Sequence, residues 1–152
     1  MNKLLGRFDE FVTKELRRRS IPMLRVALGI VFVWFGALKI FGVSPVADLI
    51  QSTYWFFPAN EFLLILGIWE VVIGVGLLFK IALRATIALL LLQMAGTFFA
   101  AILAPGIFVD VQNVMLLTME GEFLVKNLVL VSAALVIGGH EVSPAQAEEP
   151  RA

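Results

Sequence analysis

Glu70 stands eight residues inside an apolar run that begins at Phe62, about 12 Å below one end of a helix rising 1.5 Å per residue. A carboxylate at that depth cannot snorkel to water, and a charge near mid-membrane costs on the order of 2.5–3.5 kcal/mol on insertion scales. Glu70 must be paired with a cation or carry a proton, and either state suits proton exchange or hydrogen bonding. Lys39 lies about 4 Å and Lys126 about 5 Å below the same surface, within reach of Glu70 if their long stems point inward. The expected cluster is therefore Lys39, Glu70 and Lys126. Opposing it, each lysine has the option of snorkelling to the headgroups, Lys126 has Glu122 one helical turn away as an ordinary partner, and Glu70 has a purely structural role as a clamp between helices. Gln93 joins Lys39 and Glu70 by helical register, as interhelical glue or as a ligand contact.

These residues are carried by runs too apolar for a soluble fold. Of 152 residues, 60% are hydrophobic and 16% charged, against roughly 25% charged in an ordinary soluble domain. Four runs, 21–41, 62–79, 83–104 and 123–139, each approach the 20 or so residues that cross a bilayer. The fold class expected is all-α, an integral membrane four-helix bundle with an N-terminal amphipathic interfacial helix. Arg25, Gly29, Phe32, Gly36 and Lys39 form one stripe of the first span, and Leu63, Gly67, Glu70, Gly74 and Leu77 one of the second. Thr86, Leu90, Gln93, Thr97, Ala100 and Ala104 repeat the rhythm in the third, with the small and polar residues expected where membrane helices touch. Lys80 to Leu83 is a tight turn, making the second and third spans antiparallel neighbours.

Residues 1–20 read as an amphipathic helix on the membrane surface: Leu5, Phe8, Val12 and Leu16 recur at helical spacing, and Arg17, Arg18 and Arg19 supply charge for anionic headgroups. A topology signal alone accounts for the same charges. Ser20 as cap and Pro22 in a first turn restart the chain as the first span, which is too long for a signal-peptide core and is expected to remain in the mature protein. The aromatic run Tyr54, Trp55, Phe56, Phe57 is expected at the outer headgroup level, after a short amphipathic helix opened by Ser44 and Pro45. The connection 105–122 is too apolar for a solvated loop and is expected to lie against the bundle. Residues 140–152 read as a disordered tail.

The segments 42–61 and 105–122 contain no Lys or Arg, whereas Lys3, Arg7, Lys14, Arg17–Arg19, Arg25, Lys80, Arg84 and Arg151 fall on the other side of an alternating bundle. Both termini are therefore expected in the cytoplasm and the chain in the plasma (inner) membrane. With zero Cys and a single His, thiol chemistry, Cys-ligated metal and paired haem ligands drop out. No intrinsic cofactor or metal is expected, and any electron must come from another carrier.

Taken together, Arg25 with Gly29-Ile30-Val31-Phe32 and Gly36-Ala37-Leu38-Lys39, Gly67 with Glu70 and Gly74, and Glu120-Gly121-Glu122 followed by Lys126-Asn127-Leu128 resemble the DoxX-like family of four-span membrane proteins. The resemblance covers roughly residues 23–139. It implies that Lys39, Glu70 and Lys126 are an intramembrane polar set, with Glu120 and Asn127 in its motifs. The family's name-giving member resembles the small membrane subunit of a thiosulfate:quinone oxidoreductase, and other relatives are associated with oxidative-stress complexes or act as membrane chaperones.

Three functions are in contention. In a quinone-associated subunit, Lys39 and Lys126 donate to a carbonyl, Glu70 exchanges protons, Gln93 and Asn127 orient the head group, and a redox partner brings electrons. In an assembly or chaperone protein the same cluster fixes helix geometry, with the bilayer and a second copy among its partners. A solute pathway is disfavoured by the little room four short helices enclose. Nucleic acid is not an expected partner.

Overall fold

The computed structural model describes residues 2–44, 58–109 and 116–142, without the side chains of residues 2–9, 12 and 59. Five helices account for nearly all of it: α1 (Asn2–Ile40), α2 (Ala59–Phe79), α3 (Leu83–Leu103), α4 (Pro105–Phe108) and α5 (Met119–Glu141). All but the short α4 are long and apolar enough to cross a membrane. The chain is thus an all-α four-helix bundle of membrane-spanning dimensions, and among the described residues the one β-type pairing is an isolated bridge between Val109 and Leu117.

The most intimate contact, between α1 and α2, follows from the glycines of the two stripes. A Cβ built on Gly36 would lie 2.6 Å from the carbonyl oxygen of Gly67, and one on Gly67 would lie 2.8 Å from that of Gly36. Gly29 and Gly74 oppose each other in the same way one heptad along. Backbones this close gain dispersion contacts that larger residues would forbid, the usual driving force for helix association in lipid. Gly67→Ala should force the helices apart and destabilise by about 1–3 kcal/mol in reversible unfolding in mild detergent. Gly96→Ala, whose Cβ would meet no described atom within 4 Å, should be tolerated in the same assay.

Every member of the α1 stripe, Arg25, Gly29, Phe32, Gly36 and Lys39, is buried, while Ile30 and Trp34 on the opposite face are 55% and 65% exposed. Ile73 and Leu77 from α2, Leu90 from α3 and Ala134 and Ile137 from α5 complete a core with no residual exposure. The turn between α2 and α3 puts Lys80 (φ 56°) and Ala82 (φ 43°) in the left-handed region, with Lys80 N–H donating to the Gly76 carbonyl and Ile81 N–H to the same oxygen. That reverses the chain in three residues, as the antiparallel arrangement requires.

Several boundaries depart from expectation, among them the start of α2 at Ala59 rather than 62. α1 does not restart at Ser20 but runs unbroken from Asn2 through Pro22 to Ile40. Proline there removes one backbone hydrogen bond, and the carbonyl it orphans belongs to exposed Arg18, where solvent can satisfy it. α5 begins at Met119 rather than 123, because Thr118 Oγ1 caps it, accepting from Gly121 N–H at 3.0 Å, and Glu120 and Glu122 favour the positive end of its dipole. Its far end reaches Glu141, so His140 and Glu141 belong to the helix rather than to a disordered tail.

The connection between α3 and α5 does fold back where it is described. Phe108 is buried at 4% exposure, and Thr118 Oγ1 also donates to the Ile107 carbonyl at 2.7 Å. Asp110, Gln112 and Asn113, the segment from Pro45 through the aromatic run with Trp55, and residues 143–152 lie outside the described residues.

Candidate functional site

Lys39 from α1, Glu70 from α2 and Gln93 from α3 meet inside the bundle. Lys39 Nζ lies 2.6 Å from Glu70 Oε2, and Gln93 Nε2 donates to Glu70 Oε1 at 2.6 Å. Both carboxylate oxygens are thus engaged by donors on two other helices, and the ion pair is buried, with side-chain exposures of 6% for Lys39 and 10% for Glu70. The Phe35 ring lies 6.0 Å from the Lys39 ammonium, adding a weak cation–π attraction. The helical register that places these three together is the one the stripes require.

A cavity of about 450 Å³ adjoins this triad, within the range of about 300–1,000 Å³ that holds small ligands. The triad supplies its charged wall, and Glu120 and Asn127 of α5 also line it, while most of the remaining lining is aliphatic and aromatic, including Phe35, Trp69 and Phe123. Four short helices therefore enclose more room than their length suggested: the glycine pairs bring α1 and α2 together, but nothing comparable closes α3 and α5 around the triad.

Gln93 explains which hydrogen-bonding capacity remains. Its NH2 must face the carboxylate, so its carbonyl oxygen points elsewhere, and Oε1 is buried without a hydrogen-bond partner. An unmet buried acceptor costs about 1–3 kcal/mol, and such a group beside a cavity is suited to a small rearrangement on ligand binding. The Lys39 ammonium carries three N–H donors, one of which is committed to Glu70.

Lys126 is not part of the cluster. Its ammonium pairs with Glu122 at 3.2 Å, one turn back on α5, and lies 5.5 Å from the Phe123 ring. Both partners are more than 60% exposed, because residue 126 falls on the outer face of α5. Lys126→Ala should therefore cost no more than about 0.5 kcal/mol, the worth of an exposed i,i+4 pair, in the unfolding assay used for Gly67→Ala. Glu120 and Asn127 line the cavity without joining the triad. Arg17, Arg18 and Arg19 are exposed on the N-terminal part of α1, with Arg19 paired to Glu15.

A second buried charge group, at the opposite end of the bundle, was only half visible in the sequence. Arg25 Nη1 donates to the carbonyls of Leu77 and, at 3.1 Å, Leu78 at the end of α2. Its Nε lies 2.9 Å from Glu141 Oε2, which Lys80 Nζ also approaches at 3.2 Å. Arg25 thereby neutralises the negative end of α2 and ties it to α5. Glu141 looked like tail because it follows Gly138 and Gly139, yet its spacing from Ala134 and Ile137 continues the buried stripe of α5.

Fold and site together define a multi-pass membrane protein whose helices are clamped by a buried ion pair beside a cavity that opens to the bundle surface. No family model, curated protein or solved structure matches the chain.

Proposed function

We propose that the chain is a DoxX-like membrane protein that binds a quinone head group in the cavity beside Lys39, Glu70 and Gln93, as an accessory subunit of a membrane oxidoreductase or oxidative-stress complex. The observation that carries this reading is the composition of the cavity wall: a largely aromatic and aliphatic lining with the buried Lys39–Glu70 pair and the Gln93 amide at one place and Glu120 and Asn127 of α5 also lining it. A quinone is an apolar ring with polar carbonyls at its ends, and bound there it would supply the electron-accepting chemistry. Lys39 has spare N–H donors for a carbonyl, Asn127 adds an amide on the α5 side, and Glu70, relayed by Lys39, can hold or release a proton. A redox partner delivers the electrons. The family resemblance supports the same reading.

The test is quinone content after purification in mild detergent from native membranes. Expected is quinone co-purifying with the wild-type chain and lost from Glu70→Gln, which keeps the shape but not the charge. Quinone absent from the wild type would contradict the proposal. The second reading, a non-catalytic assembly or chaperone protein, is favoured by the fact that both Glu70 oxygens already have partners from neighbouring helices; on that reading Glu70→Gln weakens the bundle and changes no ligand.

The proposed setting is the plasma membrane with both termini cytoplasmic, which the Lys and Arg asymmetry supports, and with Arg17 to Arg19 against anionic headgroups. A Cys replacing Ser52 should be labelled from the outside only; labelling from the cytoplasmic side alone would reverse the topology. A second copy of the chain is a further proposed partner.

A further inference from the structure

Two cavities share a wall. Beside the 450 Å³ cavity runs a smaller one of about 260 Å³, lined by Ile65, Ile68, Trp69, Val72 and Leu89, and Ile65 and Trp69 line both. The smaller one is a groove on the outer surface of the bundle between α2 and α3. Ile65, Ile68 and Val72 are 61%, 49% and 55% exposed, and every residue lining it is apolar or aromatic. From Ile65 to Val72 it follows α2 for about 10 Å, at 1.5 Å per residue. The larger cavity reaches the same surface, since its lining includes Leu92, also 61% exposed. At the junction Trp69 Nε1 donates to the Leu89 carbonyl across a long 3.4 Å, a bond weak enough to yield as the ring shifts.

We infer that the site takes a membrane-dissolved amphiphile, its carbonyl-bearing ring seated beside Lys39, Glu70 and Gln93 and its hydrocarbon tail lying in the groove along Ile65, Ile68 and Val72, with entry laterally from the bilayer between α2 and α3. This rests on the ring-binding reading of the larger cavity and adds the tail and the route. The occupant of the groove follows from continuity: it begins where the head-group cavity ends, offers no hydrogen-bonding side chain apart from Trp69, and faces the direction from which a lipid-soluble molecule arrives. A water-soluble ligand would gain nothing from it, since the surface it offers is hydrocarbon.

The experiment measures binding of two probes, a decyl-tailed benzoquinone and its tailless parent, to the full chain in nanodiscs. Ile68→Trp and Val72→Trp each fill the groove without touching the larger cavity, and both positions are exposed enough to accept the bulk. Expected is at least a tenfold loss of affinity for the tailed probe in each variant, with the tailless probe binding as it does to wild type. That unchanged value also certifies the fold. Two results would overturn the inference while leaving the ring site standing: unchanged affinity for the tailed probe, as for a groove filled only by bilayer chains, or equal loss for both probes in both variants. If neither probe binds the wild-type chain, the ring site itself is wrong and the inference falls with it.

Discussion

Lys39→Ala and Glu70→Ala should each destabilise the bundle by about 3–5 kcal/mol, because either one leaves a charge in a low-dielectric interior with its partner gone. Glu70 stripped of Lys39 retains only the Gln93 amide, and Lys39 stripped of Glu70 must swing toward the headgroups or stay buried without its counter-charge. The double variant Lys39→Met with Glu70→Leu should recover most of the loss, since an apolar pair of similar volume carries no desolvation penalty. Recovery should stop short of complete, because Gln93 then lacks any acceptor for its NH2, at about 1–3 kcal/mol; adding Gln93→Leu should remove that residue of the deficit. Reversible unfolding in detergent reads all four. Additive losses in the double variant would mean that the pair is not coupled.

The second large effect concerns the other end of the bundle. Arg25→Ala removes the buried partner of Glu141, leaving it only the half-exposed Lys80, together with two hydrogen bonds to the end of α2, and should cost about 3–5 kcal/mol. Glu141→Ala should cost less than Arg25→Ala, because Arg25 keeps the carbonyls of Leu77 and Leu78. Lys80→Ala should cost no more than about 1 kcal/mol, since that lysine is 53% exposed and screened by solvent. The order Arg25, Glu141, Lys80 is the content of the prediction. Equal effects at all three would place the ion pair outside the cooperative unit.

Much of this arrangement is legible in the sequence, and the reason is periodicity. A 4-3 rhythm of small, polar and apolar residues fixes which side of each span faces inward, so the meeting of Lys39, Glu70 and Gln93 follows from register alone. Lys126 shows the limit of the depth argument: distance below a surface says how far a residue is from water but not which way it faces, and residue 126 faces outward. Glu141 shows another limit, since two glycines before it read as a helix end when they are part of the helix. The continuity of α1 through Pro22 was hidden because Ser20 followed by Pro22 reads as a cap and a first helical turn. The cavity has no sequence signature: it is what remains between α3 and α5 once α1 and α2 have closed on their glycines.

On the proposed function a quinone ring occupies the cavity beside Lys39, Glu70 and Gln93. The chain has three tryptophans, and of the two among the described residues, Trp34 and Trp69, Trp69 lines that cavity. With Trp34→Phe and Trp55→Phe in place, fluorescence reports on Trp69 alone, and titration with a tailless benzoquinone measures occupancy directly. Saturable quenching at one ring per chain, abolished by Lys39→Met with Glu70→Leu in a bundle that remains folded, is the predicted result. Quenching that rises linearly without saturating, and equally in the double variant, would mean that the ring merely collides with the bundle from the bilayer and that the cavity does not bind it.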